Sequence, residues 1–190
     1  MLSETWGLGG RFGIAPVGNG RTYWYASANQ KENWDDTAPQ RQANLLRRFG
    51  HWHHPVPDLI AATPTQEILV SRIYDFPKLD AWSKGNVALL GDAAHAMTPN
   101  LGQGACLAME DAWTLGSLLP HAADPAAAFK KYQQARVKRA HSIQKQSQAL
   151  GWIVQAENPL ALAARDWRTP RIPESILQFG MRSLFADQTI

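Results

Sequence analysis

The chain's 190 residues suffice for one domain or two small lobes, and a hydrophobic fraction of 45% suffices for a sizeable core. No apolar run approaches the ~20 residues of a membrane-spanning helix, and the start lacks a charged n-region with an apolar h-region, so neither an integral membrane segment nor a secretory signal is expected. The net charge of +3 gathers in Lys130, Lys131, Arg136, Lys138, Arg139 and Lys145, a stretch that reads as a solvated helix face and not as a nucleic-acid site. The single cysteine, Cys106, excludes an internal disulfide and reads as a buried inert thiol, which favours a reducing, cytoplasmic setting. Eight tryptophans point to an aromatic-rich core or cleft.

Residues 1–17 read as strand pieces interrupted by glycines. Gly7, Gly9 and Gly10 invite a dinucleotide-loop reading, but the third glycine position is Phe12 and no βαβ context precedes it. Glycines at a strand bend explain the run better. Gly18-Asn19-Gly20 is a hairpin signal. The strand 21–28 follows, with Thr22, Trp24 and Ala26 on one face and Tyr23, Tyr25 and Ser27 on the other. Aromatics on both faces predict that both are covered.

Residues 36–49 predict a helix. Asp36 or Thr37 caps it, Pro39 suits an early position, and Leu45, Leu46 and Phe49 form its apolar face before Gly50 ends it. His51, His53 and His54 lack a paired carboxylate or cysteine, so no metal site is expected. Residues 67–74 predict a strand, which Asp75-Phe76-Pro77 breaks.

The segment 85–119 carries the chemistry. Asn86 to Leu90 is short, apolar and partly β-branched, as expected of a buried strand. Gly91-Asp92 ends it, placing Asp92 where open α/β sheets bind ligands. Thr98-Pro99-Asn100 forces a loop. Gly102 and Gly104 bracket Gln103 and let a backbone approach something flat or charged. A helix then runs from about Ala105. Its stripe of Ala105, Ala108, Ala112, Leu115, Gly116 and Leu119 predicts close packing. Glu110 and Asp111 lie past its first turn and read as surface or capping groups. The helix N-terminus favours an anionic or electron-rich partner.

Residues 120–125 form a turn, and 126–155 read as one long helix, bent near Gly151. Asn158-Pro159 opens another, with Leu160, Leu162, Ala163 and Ala164 apolar, until Pro170 and Pro173 break it. A last amphipathic segment, 175–185, would bury Ile176, Leu177, Phe179 and Leu184.

Gly91-Asp92-Ala93-Ala94-His95, followed by Pro99, Gly102 and Gly104, resembles the second FAD fingerprint of flavin-dependent monooxygenases with the para-hydroxybenzoate hydroxylase fold. The flanks agree over about 35 positions, and the flavour is similar to salicylate-, urate- and zeaxanthin-type hydroxylases and epoxidases. The resemblance implies that Gly91 and Asp92 hold the ribityl hydroxyls of FAD. It places Pro99 near the reactive edge of the ring, and the backbone of Asn100, Leu101, Gly102, Gln103 and Gly104 near its pyrimidine side. His95 then holds its turn by a hydrogen bond and is not a base, because the cofactor carries the hard chemistry. Tyr132, Arg136 and Arg139 match the family's Y-x-x-x-R-x-x-R, with Gln133 in place of its usual acid, and the arginines are expected in structural ion pairs. Phe49, Trp52 and Pro55 match F-x-x-W-x-x-P.

The resemblance implies an α/β fold, or α+β fragment. It would comprise a mixed substrate-domain sheet (1–83), a flavin-facing strand, loop and helix (84–120) and C-terminal helices (121–190). It covers about the C-terminal half of such an enzyme, and the Rossmann βαβ unit with G-x-G-x-x-G is absent from this sequence. The implied activity is NAD(P)H- and O2-dependent hydroxylation or epoxidation of a small aromatic or apolar substrate. A missing N-terminal half, or self-association through the surface it would cover, is the implied partner; a non-catalytic interaction module is the alternative. Phe12, Trp24 and Phe76 could line a cavity or pack in the core.

Overall fold

The computed structural model describes residues 2–30, 37, 40–176 and 178. It divides into two compact units, Met1–Arg72 with Val154–Asn158, and Ile73–Ile153 with Pro159–Ile190.

The first unit is built on an antiparallel sheet in the order β1 (Ser3–Gly7), β2 (Gly10–Pro16), β3 (Thr22–Ala28). Phe12 pairs with Ala26 and Pro16 with Thr22. The hairpin between β2 and β3 works because Gly18, Asn19 and Gly20 all adopt positive φ, of 81°, 51° and 68°. One sheet face supplies Phe12, whose ring stacks on Trp24 at 5.2 Å and meets Phe49 edge-on at 5.9 Å. Phe49 closes α1 (Arg41–Phe49), and α2 (Val56–Ala62) adds the fully buried Val56 and Ile60. The amide of Gln42 on α1 donates to the carbonyls of Ile60, Ala61 and Thr63, satisfying acceptors that the end of α2 leaves open. Phe12 and Trp24 therefore pack as core.

On the other face, Glu4 accepts from Trp6 Nε1 (3.0 Å), Arg11 Nη1 (3.3 Å) and the Tyr25 hydroxyl (2.6 Å). Burial, then the bond to Glu4, pushes the Tyr25 phenol up to about 12. Tyr23 on this face is exposed, so the expectation that both faces are covered fails at the hairpin end.

In the second unit run the helices α3 (Asp92–His95), α4 (Gly104–Leu118), α5 (Pro125–Val154) and α6 (Pro159–Arg168). The last residue of α5 belongs to the first unit. The core of the second unit is Trp82, Ala94, Tyr132 and Ala140, all essentially without exposure. Gln133 shows why an amide serves where the family pattern has an acid. Its Oε1 accepts from the Trp82 N–H (2.9 Å), while its Nε2 donates to the Asp80 carbonyl (3.0 Å). A carboxylate could make only the first bond.

Several expectations are corrected. Residues 68–79 form no strand. Thr65–Glu67 is a 3-10 turn, and Leu69 stands 90% exposed. The β-branched residues there suit a pleated, half-buried surface, and no partner strand lies beside them among the described residues. The strand expected over 86–90 shrinks to β5 (Val87–Ala88), paired with β4 (Ser83–Lys84), and Val87 is exposed. The small-residue stripe of α4 packs only in part, with Ala108 against Gly91 and Leu115 against the core of the second unit. Ala105, Ala112 and Gly116 are exposed, while Leu107 and Asp111 are the buried positions. Ile176 is also exposed. Asp36, Pro39, Leu177, Phe179 and Leu184 lie outside the described residues. The described strands are all antiparallel within an α/β fold.

Phe49 is the point where sheet, α1 and Trp52 (5.0 Å, edge-on) meet. Phe49→Ala should lower unfolding stability by about 3–5 kcal/mol, and Tyr23→Ala by less than about 0.5 kcal/mol. Denaturant titration of both variants checks this. Equal effects would show that the cluster around Phe12 is not the core of its unit.

Candidate functional site

Asp92 opens α3 directly after Gly91, which sits at φ 59° and ψ −135°. That conformation is essentially restricted to glycine. Space demands glycine as well, since an added Cβ would lie 3.1 Å from the Ala108 Cβ on α4. The Gly91 carbonyl accepts from the Ala94 and His95 N–H groups, both at 2.9 Å. Asp92 itself is exposed.

The following loop is pinned to α5. Gln144 Nε2 donates to the carbonyls of Phe76 (2.7 Å) and Ala96 (3.0 Å). Ser147 Oγ donates to the Thr98 carbonyl. Asn100 Nδ2 donates to Thr98 Oγ1 (2.9 Å) and the Ser147 carbonyl (2.8 Å), so this side chain is turned toward α5. Gly151 makes room for it, because a Cβ there would strike the Asn100 amide. Pro99–Leu101 forms a 3-10 turn that ends in Gly102 at φ 62°.

The chain then enters α4 through Gln103, which is buried and provides no side-chain cap. The first turn of α4 contains no acid, and its leading N–H groups have no partner within the helix by construction. A Cβ on Gly102 would meet nothing. One on Gly104 would meet only Asp92 Oδ1, at 3.9 Å. The fold thus brings Asp92 to the N-terminus of a fifteen-residue helix, beside a glycine surface with no side chain over it. This gives a strong acceptor next to free donors and a positive helix end. It suits a ligand with hydroxyl donors adjoining an electron-rich group, and the residues present fit the ribityl and pyrimidine parts of FAD.

Beneath this corner lies a network in which Arg136 and Arg139 form the structural ion pairs expected of them, with acids whose burial the sequence did not suggest. Asp111 was expected at the surface, yet it is fully buried. Its Oδ2 accepts from the Gly91 N–H (3.1 Å) and from His95 Nε2 (2.6 Å), and its Oδ1 accepts from Arg136 Nε (2.8 Å). Arg136 also meets Glu110 Oε2 at 2.6 Å, and Arg139 holds Glu110 through two bonds of 2.9 and 3.0 Å. Two guanidiniums thereby balance two carboxylates. His95 Nδ1 is buried without a partner. An Nε2–H tautomer fits, since it leaves a lone pair there and not a bare donor. His95 holds its turn, as the sequence implied. The helical spacing of Asp111 to Leu107 was the available signal for its burial.

Among the described residues, no group of three or more His, Cys, Asp or Glu side chains could hold a metal ion. His53 instead bonds Thr5 Oγ1 and the His54 carbonyl, and His54 bonds Asp58.

Burial alone would raise the Asp111 carboxyl, but the bonds from His95, Arg136 and the Gly91 N–H outweigh it and hold the group below the usual carboxylate range. Glu110 is likewise held low: burial opposes ionisation, and the bonds from Arg139 and Arg136 prevail. A depressed folded value means stability that is present above about pH 4 and lost as the pH falls further. Thermal unfolding followed from pH 7 to 2 should therefore show an acid limb beginning near pH 4, and Asp111→Asn should flatten part of it. An unchanged limb would mean that the network does not couple to folding.

Three comparisons bear on identity. A family model described as an FAD binding domain matches residues 8–147. Aurachin C monooxygenase/isomerase of Stigmatella aurantiaca is 45% identical over 164 residues, covering 86% of this chain and 43% of that protein. Chloroplastic zeaxanthin epoxidase of Solanum lycopersicum is 42% identical over 118 residues, covering 62% and 18%. The crystal structure of Klebsiella pneumoniae HpxO complexed with FAD and uric acid superposes with a TM-score of 0.90 at 30% identity, covering 96% of this chain and 47% of that one. The chain spans less than half the length of these relatives. With the fingerprint geometry in place and the family model matched across most of its length, the chain belongs to the FAD-binding monooxygenases of the para-hydroxybenzoate hydroxylase fold.

Proposed function

We propose that this chain forms the ribityl and pyrimidine end of an FAD site in a monooxygenase that draws electrons from NAD(P)H and hydroxylates or epoxidises a small aromatic or apolar molecule. The observation that carries this reading is the Asp92 carboxylate lying beside Gly104 at the start of α4. FAD, when bound, supplies the redox and oxygen-transfer chemistry.

The residues supply placement. Asp92 accepts hydrogen bonds from ribityl hydroxyls, and Gly91 lets the chain turn into that position. The backbone N–H groups of Leu101, Gln103 and Gly104 face the pyrimidine side, where the α4 dipole favours negative charge, while the Gly102 N–H closes the 3-10 turn onto the Pro99 carbonyl and leaves that glycine to give close approach. Pro99 borders the reactive edge and, lacking an N–H, offers no donor there. Asn100 serves through its backbone, since its side chain is engaged with α5. The bonds of Gln144 and Ser147 hold the loop before any ligand arrives, which lowers the ordering cost of binding.

A second reading is that the chain works only with a complementary half, or otherwise self-associates. It is favoured by apolar side chains standing in solvent in the second unit: Tyr74 at 69%, Val87 at 65%, Met109 at 66% and Trp113 at 63%. Exposed apolar side chains mark an interaction site where they adjoin, as Met109 and Trp113 do one turn apart on α4. No described helix is long and apolar enough to cross a membrane, and the single cysteine agrees with a reducing, cytoplasmic setting.

Titrating the purified chain with FAD, read by flavin fluorescence quenching, tests the first reading. Asp92→Ala should weaken binding by about 10–100-fold, the worth of a charge-assisted hydrogen bond. Equal binding by both proteins would remove Asp92 from the site. No binding by the wild type at high micromolar FAD, together with concentration-dependent association in light scattering, would favour the second reading.

A further inference from the structure

We propose that Asp111 is a positioning residue for flavin binding: from within α4 it clamps both ends of α3 and thereby sets where the Asp92 carboxylate lies. The inference rests on the reading above in one respect, that Asp92 meets the flavin.

A helix of four residues cannot hold itself, because it fixes many dihedrals for very few internal bonds. α3 is held from outside. Asp111 Oδ2 takes the N–H of Gly91 at its start and the imidazole Nε2 of His95 at its end. Arg136 Nε on Oδ1 fixes the rotation of the carboxylate, so that Oδ2 stays turned toward both donors. Gly91 adds a second constraint through its packing on Ala108, three residues before Asp111 on the same helix. The piece of chain carrying Asp92 is therefore registered against α4, the helix whose N-terminus forms the other side of the candidate site. One buried oxygen fixes the two halves of the site relative to each other. Asp111 is fully buried and acts only through Gly91 and His95.

Core glue of no functional consequence would look similar in a stability assay, so the test needs a readout that such a role would not move. Asp111→Asn is the first variant. Its carboxamide presents one acceptor and one donor, so it cannot serve the Arg136 side and the Gly91–His95 side together. Amide exchange by NMR on the flavin-free full chain should show protection of the Gly91 N–H lost in this variant and kept in Val137→Ala, which trims a partly buried side chain packed against the second unit's core from α5. FAD titration should show about tenfold weaker binding for Asp111→Asn, a change absent from Val137→Ala. The double variant Asp92→Ala/Asp111→Asn should bind no more weakly than Asp92→Ala alone, because a residue acting through Asp92 has nothing left to position.

Additive losses in the double variant, an equal loss in Val137→Ala, or unchanged exchange at Gly91 would each overturn the proposal. Should Asp111→Asn fail to fold, Arg136→Lys enters the same cycle, keeping the charge while dropping the Nε bond that sets the carboxylate's rotation; the same non-additivity is expected. A wild type that takes no FAD overturns the functional reading, and exchange at Gly91 then decides whether the clamp exists.

Discussion

A carboxylate in the middle of α4 has no water to solvate it, and much of the second unit is arranged to supply what water would have. Ionised Asp111 survives burial because a backbone N–H, an imidazole and a guanidinium converge on its two oxygens. Those donors come from the turn before α3, from the end of α3 and from α5. Satisfying one charge therefore ties three parts of the chain to a fourth. Removing Arg136 would leave that buried charge uncompensated, which is far costlier than losing the pair. The Tyr132 hydroxyl lies under the same influence: burial first, then the neighbouring Asp111 charge, raises it well above the ordinary phenol range.

The candidate site inherits its order from this arrangement. Its parts, the Asp92 turn, the Pro99–Leu101 turn and the α4 N-terminus, all begin without a side-chain cap. The first is braced from behind by Asp111, and the second by Ser147 on α5, with Gln144 holding the chain just before it at Ala96. The side facing outward is left to backbone and glycine, which offers N–H groups and close approach without side chains to displace. The first unit solves a separate problem. Its sheet buries Phe12 against Phe49, Val56 and Ile60 on one face, while Glu4 gathers Trp6, Arg11 and Tyr25 on the other.

Much of this was legible in residue order. The hairpin at Gly18-Asn19-Gly20, the helix ending at Phe49, the loop around Pro99 and the long α5 follow from local rules, because turn chemistry and proline geometry act over a few residues. The family fingerprint was legible for the same reason, as its residues lie within one short stretch. The failures share a cause. Residues 68–74 have the composition of a strand, but a strand exists only where another backbone completes its ladder. The alanine stripe of α4 promised close packing along its length, but small residues pack only where a neighbour comes to them: Ala108 meets Gly91, while α5 docks at Leu107 and Asp111 and Ala105 and Ala112 stay exposed. Asp111 was misplaced because charge is a statistical argument for exposure, and its compensating groups sit 16 to 25 residues away in sequence.

By itself the sequence determined which elements could form, where they had to stop, and which short run carried the FAD-family chemistry, since each of these depends on neighbours in the chain. Only the tertiary structure decided which face of α4 is inside, that Asp92 meets Gly104, and that one buried carboxylate holds both. Those outcomes depend on desolvation and on hydrogen bonds between groups distant in sequence, and such terms have no value until the chain has closed around them.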